Sequence, residues 1–93
     1  MRSSICEAIR NRSVISFYYK YSLSVVEQHL LGYDSDGDLT LSAWQLQGGS
    51  GTGWRDFHVS KLFGLSTTRK SFEAPRREYN PHDSTINQIV CRL

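Results

Sequence analysis

No apolar run in this chain approaches the roughly 18 residues of a membrane span, so nothing in the sequence asks for a membrane partner. The first residues, Met1-Arg2-Ser3-Ser4-Ile5-Cys6-Glu7, lack the apolar stretch of a secretory signal. Cysteine is scarce. Cys6 and Cys91 stand at opposite ends, without the close pairing of a zinc site or a redox motif. These absences lead to a cytoplasmic protein with two reduced, mostly buried thiols, the alternative being a disulfide that joins the termini. Proline occurs only at Pro75 and Pro81, which punctuate a stretch over 69–81 that reads as irregular. A strong charge of one sign is also missing: the formal net charge of +2 is too small to argue nucleic-acid binding by itself. No nucleophile sits in an activating motif, no His/carboxylate cluster has metal-ligand spacing, and no cofactor fingerprint appears. The expectation is a protein that is not an enzyme and uses no cofactor or metal.

What is present is enough for one small domain over 1–93. A composition 39% hydrophobic and 22% charged excludes wholesale disorder. Ile5, Ala8 and Ile9 recur at helical spacing, predicting a short amphipathic helix over 3–11 with Ser3 or Ser4 as its cap. The β-branched and aromatic run Val14–Tyr21 predicts a first strand, and Val25–Tyr33 a second. Asp34-Ser35-Asp36-Gly37-Asp38 is a turn in which Asp side chains hold backbone amides and Gly37 accepts positive φ. It faintly resembles a calcium loop, but Gln45 stands where the bidentate glutamate is needed. Leu39–Leu46 predicts a third strand. The glycines of Gly48–Gly53 have no Gly-Lys-Ser/Thr after them and open no helix, so they read as linker and not as a phosphate cradle. Strands four (Trp54–Val59) and five (about Lys61–Ser66) follow, joined through a bend. Ile86, Ile89 and Val90 predict a last short helix capped by Asp83 or Ser84. A helix followed by five short antiparallel strands outlines a small barrel.

The stretch Trp54–Leu62 carries the chemistry. Its alternation sends Phe57 and Val59 into the core. On the other face it sets His58 and Ser60 in one line, with Arg55 and Lys61 near the ends. An imidazole, a guanidinium, a hydroxyl and an ammonium suit an anionic ligand. An ordinary solvated strand face is the competing reading. Tyr19 and His29, on strands one and two, complete the candidate set.

Ala8-Ile9-Arg10-Asn11-Arg12 leads into Val14-Ile15-Ser16-Phe17-Tyr18-Tyr19; then come Val26-Glu27-Gln28-His29-Leu30-Leu31, Leu39-Thr40-Leu41-Ser42-Ala43, and Arg55-Asp56-Phe57-His58-Val59-Ser60-Lys61-Leu62. Over residues 5–66 this series resembles the WYL domain, a ligand-sensing module of bacterial transcriptional regulators. The resemblance implies a mainly β, Sm-like five-stranded antiparallel barrel with an N-terminal helix; the residues add a tail over 67–93 that ends in the short C-terminal helix. It implies a sensor binding single-stranded nucleic acid or a nucleotide-like anionic ligand. Arg55 and Phe57 fall on matching family positions, and Lys61 on an arginine. His58 stands where an arginine is usual and Ser60 where an aspartate is. Gln28 replaces a proline, and the strand-one tyrosine matches Tyr18 or Tyr19.

The departures are specific. The eponymous tyrosine is absent from Leu39-Thr40-Leu41, and the glycine-rich loop is an extended connection. No helix-turn-helix stands before strand one, so the expected role is an accessory one, with a separate DNA-binding regulator as candidate partner. The function expected is a ligand-binding regulatory module in which Arg55 grips phosphate, Lys61 supplies charge, His29 and His58 donate hydrogen bonds, and Tyr19 stacks on a base. The alternative is a protein-interaction or homo-oligomerisation module with no small ligand.

Overall fold

A computed structural model describes residues 1–93. Helix α1 (Arg2–Asn11) buries Ile5, Ala8 and Ile9 as one stripe. Its N-cap is Met1, with no side-chain cap from Ser3 or Ser4. Arg12 ends it at φ 54°, where its N–H reaches the carbonyls of Ala8 and Ile9.

Six strands follow: β1 (Ser13–Tyr19), β2 (Ser22–Asp34), β3 (Leu39–Gln47), β4 (Gly53–His58), β5 (Phe63–Ser71) and β6 (Ile86–Arg92). They form one antiparallel sheet in the order β4-β3-β2-β1-β5, with β6 paired to β2. β2 is long enough to serve two partners on one side. β1 pairs with its first half, from Ser22 to Val26, and β6 with its second, from Leu30 to Asp34. The β2–β3 turn is built as its residues dictate: the Asp34 carboxylate accepts the N–H groups of Asp36 and Asp38, and Gly37 has φ 81°.

The core lies between α1 and the concave face of the sheet. Ile5, Ala8 and Ile9 meet Ile15, Phe17, Val26, Leu31, Leu41, Ala43, Phe57, Val59 and Leu62. Full burial of a side chain such as Phe17 or Leu41 stabilises by about 1.5–3 kcal/mol. Phe17 of β1 meets Phe57 of β4 edge-on at 5.0 Å although the two strands are not neighbours, so the sheet curls strongly.

The curl stops short of the expected barrel. β4 and β5 are not hydrogen-bonded to each other, and a single 3-10 turn, Val59–Lys61, carries the chain between these two edges. The sheet is therefore open and six-stranded. The expected C-terminal helix is also absent, because Ile86, Ile89 and Val90 lie on β6. Register shifts opposite Leu31/Gly32 and Tyr33/Asp34 break the two-residue alternation, leaving apolar residues at a spacing that imitates a helix. Gly32 admits this strand. A Cβ there would stand 2.3 Å from Ile86 Cγ2 and 2.6 Å from the Gln88 carbonyl.

The thiols are not free. Cys6 and Cys91 form a disulfide, their Cα atoms 5.8 Å apart. Sequence distance concealed the pairing, because β6 docks against α1 and brings the two ends together. No helix is long and apolar enough to cross a membrane.

Candidate functional site

Tyr19 and Arg55 meet in one groove. It has a volume of about 450 Å³, and its walls are the end of the β1–β2 hairpin (Tyr19, Lys20, Ser22, Ser24) and the loop–β4 segment around Ser50, Arg55, Asp56 and Phe57. Tyr19 is anchored edge-on against Phe57 at 5.1 Å, and the Lys20 ammonium sits 5.6 Å from the Tyr19 ring centre. Arg55 is held firmly. Its guanidinium donates to the Ser50 hydroxyl and carbonyl and to the Trp54 carbonyl, each at 2.6 Å, and to the Gly51 carbonyl at 3.3 Å. Gln45 supports the same loop by donating to the Gly51 carbonyl at 2.7 Å. The glycine-rich segment is thus a structured wall built around Arg55. The guanidinium keeps its charge at the groove, but its N–H groups are engaged by the loop and not presented as a free phosphate fork. Lys20, Ser22 and Ser24 did not figure in the sequence reading. Their signal was the alternation Ser22-Leu23-Ser24-Val25, a polar face at the start of β2.

His29 is elsewhere. It is fully buried, at the register shift between Gln28 and Leu30, where β2 carries one residue more than β3. The 72–85 segment covers the convex face of the sheet here. The Arg76 N–H donates to His29 Nε2 at 3.0 Å, which leaves Nδ1 to donate to the Glu27 carbonyl at 2.8 Å. The ring is therefore neutral with its proton on Nδ1. Burial lowers its pKa from 6.5, and the neighbouring Arg76 charge adds to that, against the Glu27 carbonyl and carboxylate, which raise it. Phe72 stacks on the imidazole at 5.5 Å, with Trp54 and Tyr79 packed edge-on at 4.9 and 5.1 Å. The Arg76 guanidinium grips the Glu27 carboxylate at 2.7 and 3.1 Å, and this hydrogen bonding raises the pKa of Arg76. Both nitrogens of His29 are used by the protein itself.

His58 and Arg55 do not share a face, since β4 sends Arg55 with Phe57 toward the groove and His58 to the other side. His58 Nε2 lies 3.6 Å from Asp34 Oδ2. Donor atoms of Asp34, Asp38 and His58 all fall within 4.8 Å of one another. Asp34 is already engaged there: backbone N–H groups of Asp38 and Asp36 hold its pKa down, helped by the Thr40 hydroxyl and His58. Lys61 is exposed on the 3-10 turn, whose onset at Val59 ends the alternation that had aligned it with Arg55. The five candidates thus separate into the Tyr19–Arg55 groove, a covered His29, a turn-bound His58 and a solvated Lys61.

The charges segregate. Residues 8–26 and 57–72, which supply β1, the first part of β2 and β5, contain no carboxylate. They carry Arg10, Arg12, Lys20, Lys61, Arg69 and Lys70. Acidic residues lie outside these stretches: Asp56, which also lines the Tyr19–Arg55 groove, meets Glu78 and Asp83 around a hollow of about 230 Å³ beside Trp54 and Tyr79. Burial and the facing Asp83 carboxylate push the Asp56 pKa up, while the Ser42 hydroxyl and His58 oppose this.

No protein-family model, no curated protein and no solved structure matches this chain.

Proposed function

We propose that this chain is a small, non-catalytic ligand-binding module of WYL type. In this reading it takes a single-stranded nucleic acid or nucleotide-like anion in the Tyr19–Arg55 groove and modulates a separate DNA-binding regulator. The carrying observation is the convergence of an aromatic ring, two cations and three serine hydroxyls (Ser22, Ser24, Ser50) in one groove where Asp56 is the one acidic residue, at the margin of a carboxylate-free region. Lys20 is the exposed cation and Arg55 the one held by hydrogen bonds. Arg55 contributes by field and by shaping the loop, which replaces the bidentate grip expected from its sequence position. His29 and His58 have no ligand role here. The Sm-like resemblance is supported by the strand order and by the turn that bridges β4 and β5.

The test is fluorescence anisotropy of labelled single-stranded DNA and RNA at several salt concentrations. Lys20→Ala, an exposed substitution, should weaken binding and reduce the logarithmic salt slope by about 0.7, the value for one phosphate on a single strand. An uncharged backbone analogue binding as tightly as the natural oligomer would refute the assignment.

A second reading rests on a specific feature: β4 and β5 each leave one edge unpaired, and such edges pair with other chains. Copies of this chain, or the regulator, would then add to the sheet. A monomer at all concentrations by light scattering, with no change on adding a regulator, would exclude it. The compartment belongs with the function: transcription regulation places the module in the cytoplasm, whereas the Cys6–Cys91 bond favours oxidising surroundings. Thiol trapping in freshly lysed cells decides between them.

A further inference from the structure

The β1–β2 hairpin is closed by two residues, Lys20 and Tyr21, both at positive φ (50° and 66°). Positive φ at both central positions is the geometry of the tight hairpin turn that Asn-Gly or Gly-Gly adopts without strain. A lysine and a tyrosine there are held in a region that L side chains rarely occupy. Tyr21 gains no packing in return: its relative exposure is 103%. Strained backbone presenting an aromatic ring wholly to solvent points to a use outside the fold.

The neighbours of this tip share its character. Tyr18 is 46% exposed, Phe63 60% and Leu23 40%. They are cross-strand partners in one row, Leu23 opposite Tyr18 on β2–β1 and Tyr18 opposite Phe63 on β1–β5. The Tyr18 and Phe63 rings stack at 5.7 Å with 19° between planes. Gly64, at φ 68°, clears space for this: a Cβ there would come within 3.1 Å of the Tyr18 ring. Single exposed apolar residues are ordinary, but a contiguous aromatic row is not. It lies in the part of the chain that holds six cations and no carboxylate, Lys20 and Lys61 among them. Lys20 also lines the groove that holds Tyr19 and Arg55, so groove and row are continuous over the hairpin tip. Aromatic faces with neighbouring cations are the recognition chemistry of unpaired bases on a phosphate backbone, and stacking tolerates any base.

We propose that Tyr18, Tyr21 and Phe63, with Lys20 between them and the groove, form a base-stacking platform over which a single nucleic-acid strand runs after leaving the Tyr19–Arg55 groove. This inference rests on the groove's reading as a nucleic-acid site. It assigns stacking chiefly to Tyr18 and Phe63, because Tyr19 packs inward on Phe57.

The experiment compares a labelled thymidine dodecamer with an abasic oligomer of equal length and charge, at low salt, on the full chain and on Tyr18→Ala, Phe63→Ala, Tyr18→Phe and Tyr21→Gly. Loss of one stacking ring should weaken dodecamer binding between about five- and 150-fold. Tyr18→Phe should retain it, and the abasic oligomer should bind weakly to every form. Tyr21→Gly separates use from structure. Glycine relaxes the turn, so this variant should keep or raise the melting temperature while losing affinity. If the dodecamer binds with unchanged affinity to the ring variants, or the abasic oligomer binds equally well, the platform is refuted while the groove stands. If neither oligomer binds, both readings fall. If the ring variants instead abolish self-association seen by sedimentation, the row is a contact between copies and the platform is again refuted.

Discussion

Acid should loosen this fold through His29. The imidazole is buried and neutral, accepting the Arg76 N–H at Nε2 and donating from Nδ1 to the Glu27 carbonyl. A second proton would turn Nε2 into a donor facing another donor. Burial therefore holds its pKa below 6.5 in the folded state, whereas the unfolded chain titrates near that value. Below pH 6.5 the unfolded state binds more protons at this site than the folded state, so stability rises with pH and falls on acidification. The loss begins near 6.5 and continues downward until the folded pKa is reached. One unit of pH within that window is worth at most about 1.4 kcal/mol, so going from about pH 7.5 to 5.5 should cost up to about 1.3 kcal/mol from this residue alone. With a urea slope of about 1 kcal/mol/M for a small domain, the midpoint moves down by up to about 1 M. Other titratable groups of the chain contribute to the same curve. The measurement is therefore the difference between wild type and His29→Gln, which keeps a donor and an acceptor without titrating. Urea midpoints should converge as pH falls, the wild type losing its lead. Parallel curves for the two proteins would show that His29 is not held neutral and that the Arg76 contact is misread.

Three further outcomes follow from the same contacts. Cys6→Ser with Cys91→Ser removes a link spanning 85 residues of sequence; the chain-entropy estimate is about 4.5 kcal/mol, and urea unfolding with and without reductant should reproduce the loss in the wild type. Arg76→Ala leaves the Glu27 carboxylate, buried under the 72–85 segment, without its partner, and should lower stability by about 1–3 kcal/mol while speeding amide exchange there. Gly32→Ala drives a methyl into Ile86 and the Gln88 carbonyl, so β6 should separate from β2 with a loss of roughly 1–3 kcal/mol, visible as lost amide protection in 86–92 and unchanged protection in β1.

The sequence disclosed what depends on neighbours along the chain. Ile5, Ala8 and Ile9 mark the helix, the Asp34–Asp38 turn forms by its own side chains, and Phe57 turns inward by strand parity. Tyr19 and Arg55 both reach the groove. What remained hidden depends on distant partners. His29 was expected to hydrogen-bond a ligand, but a one-residue register shift in β2 and the cover supplied by Phe72, Arg76 and Tyr79 enclose it. His58 and Lys61 lost alignment with Arg55 because a 3-10 turn at Val59 interrupts the period of two. The last strand was disguised by its bulges, and the disulfide by a sequence separation that the docking of β6 on α1 removes.

That disulfide has a mechanical consequence. A force applied at Met1 and Leu93 reaches Cys6 and Cys91 almost at once and passes directly between them. The 85-residue span they enclose carries no tension while the bond is intact, so α1 beyond Cys6, the sheet and the groove would stay folded under loads that break ordinary domains. Once reduced, the same span could pay out to roughly 290 Å at about 3.4 Å per residue. In a force spectrometer the oxidised protein would look like a short inextensible tether, and reductant would turn it into a spring.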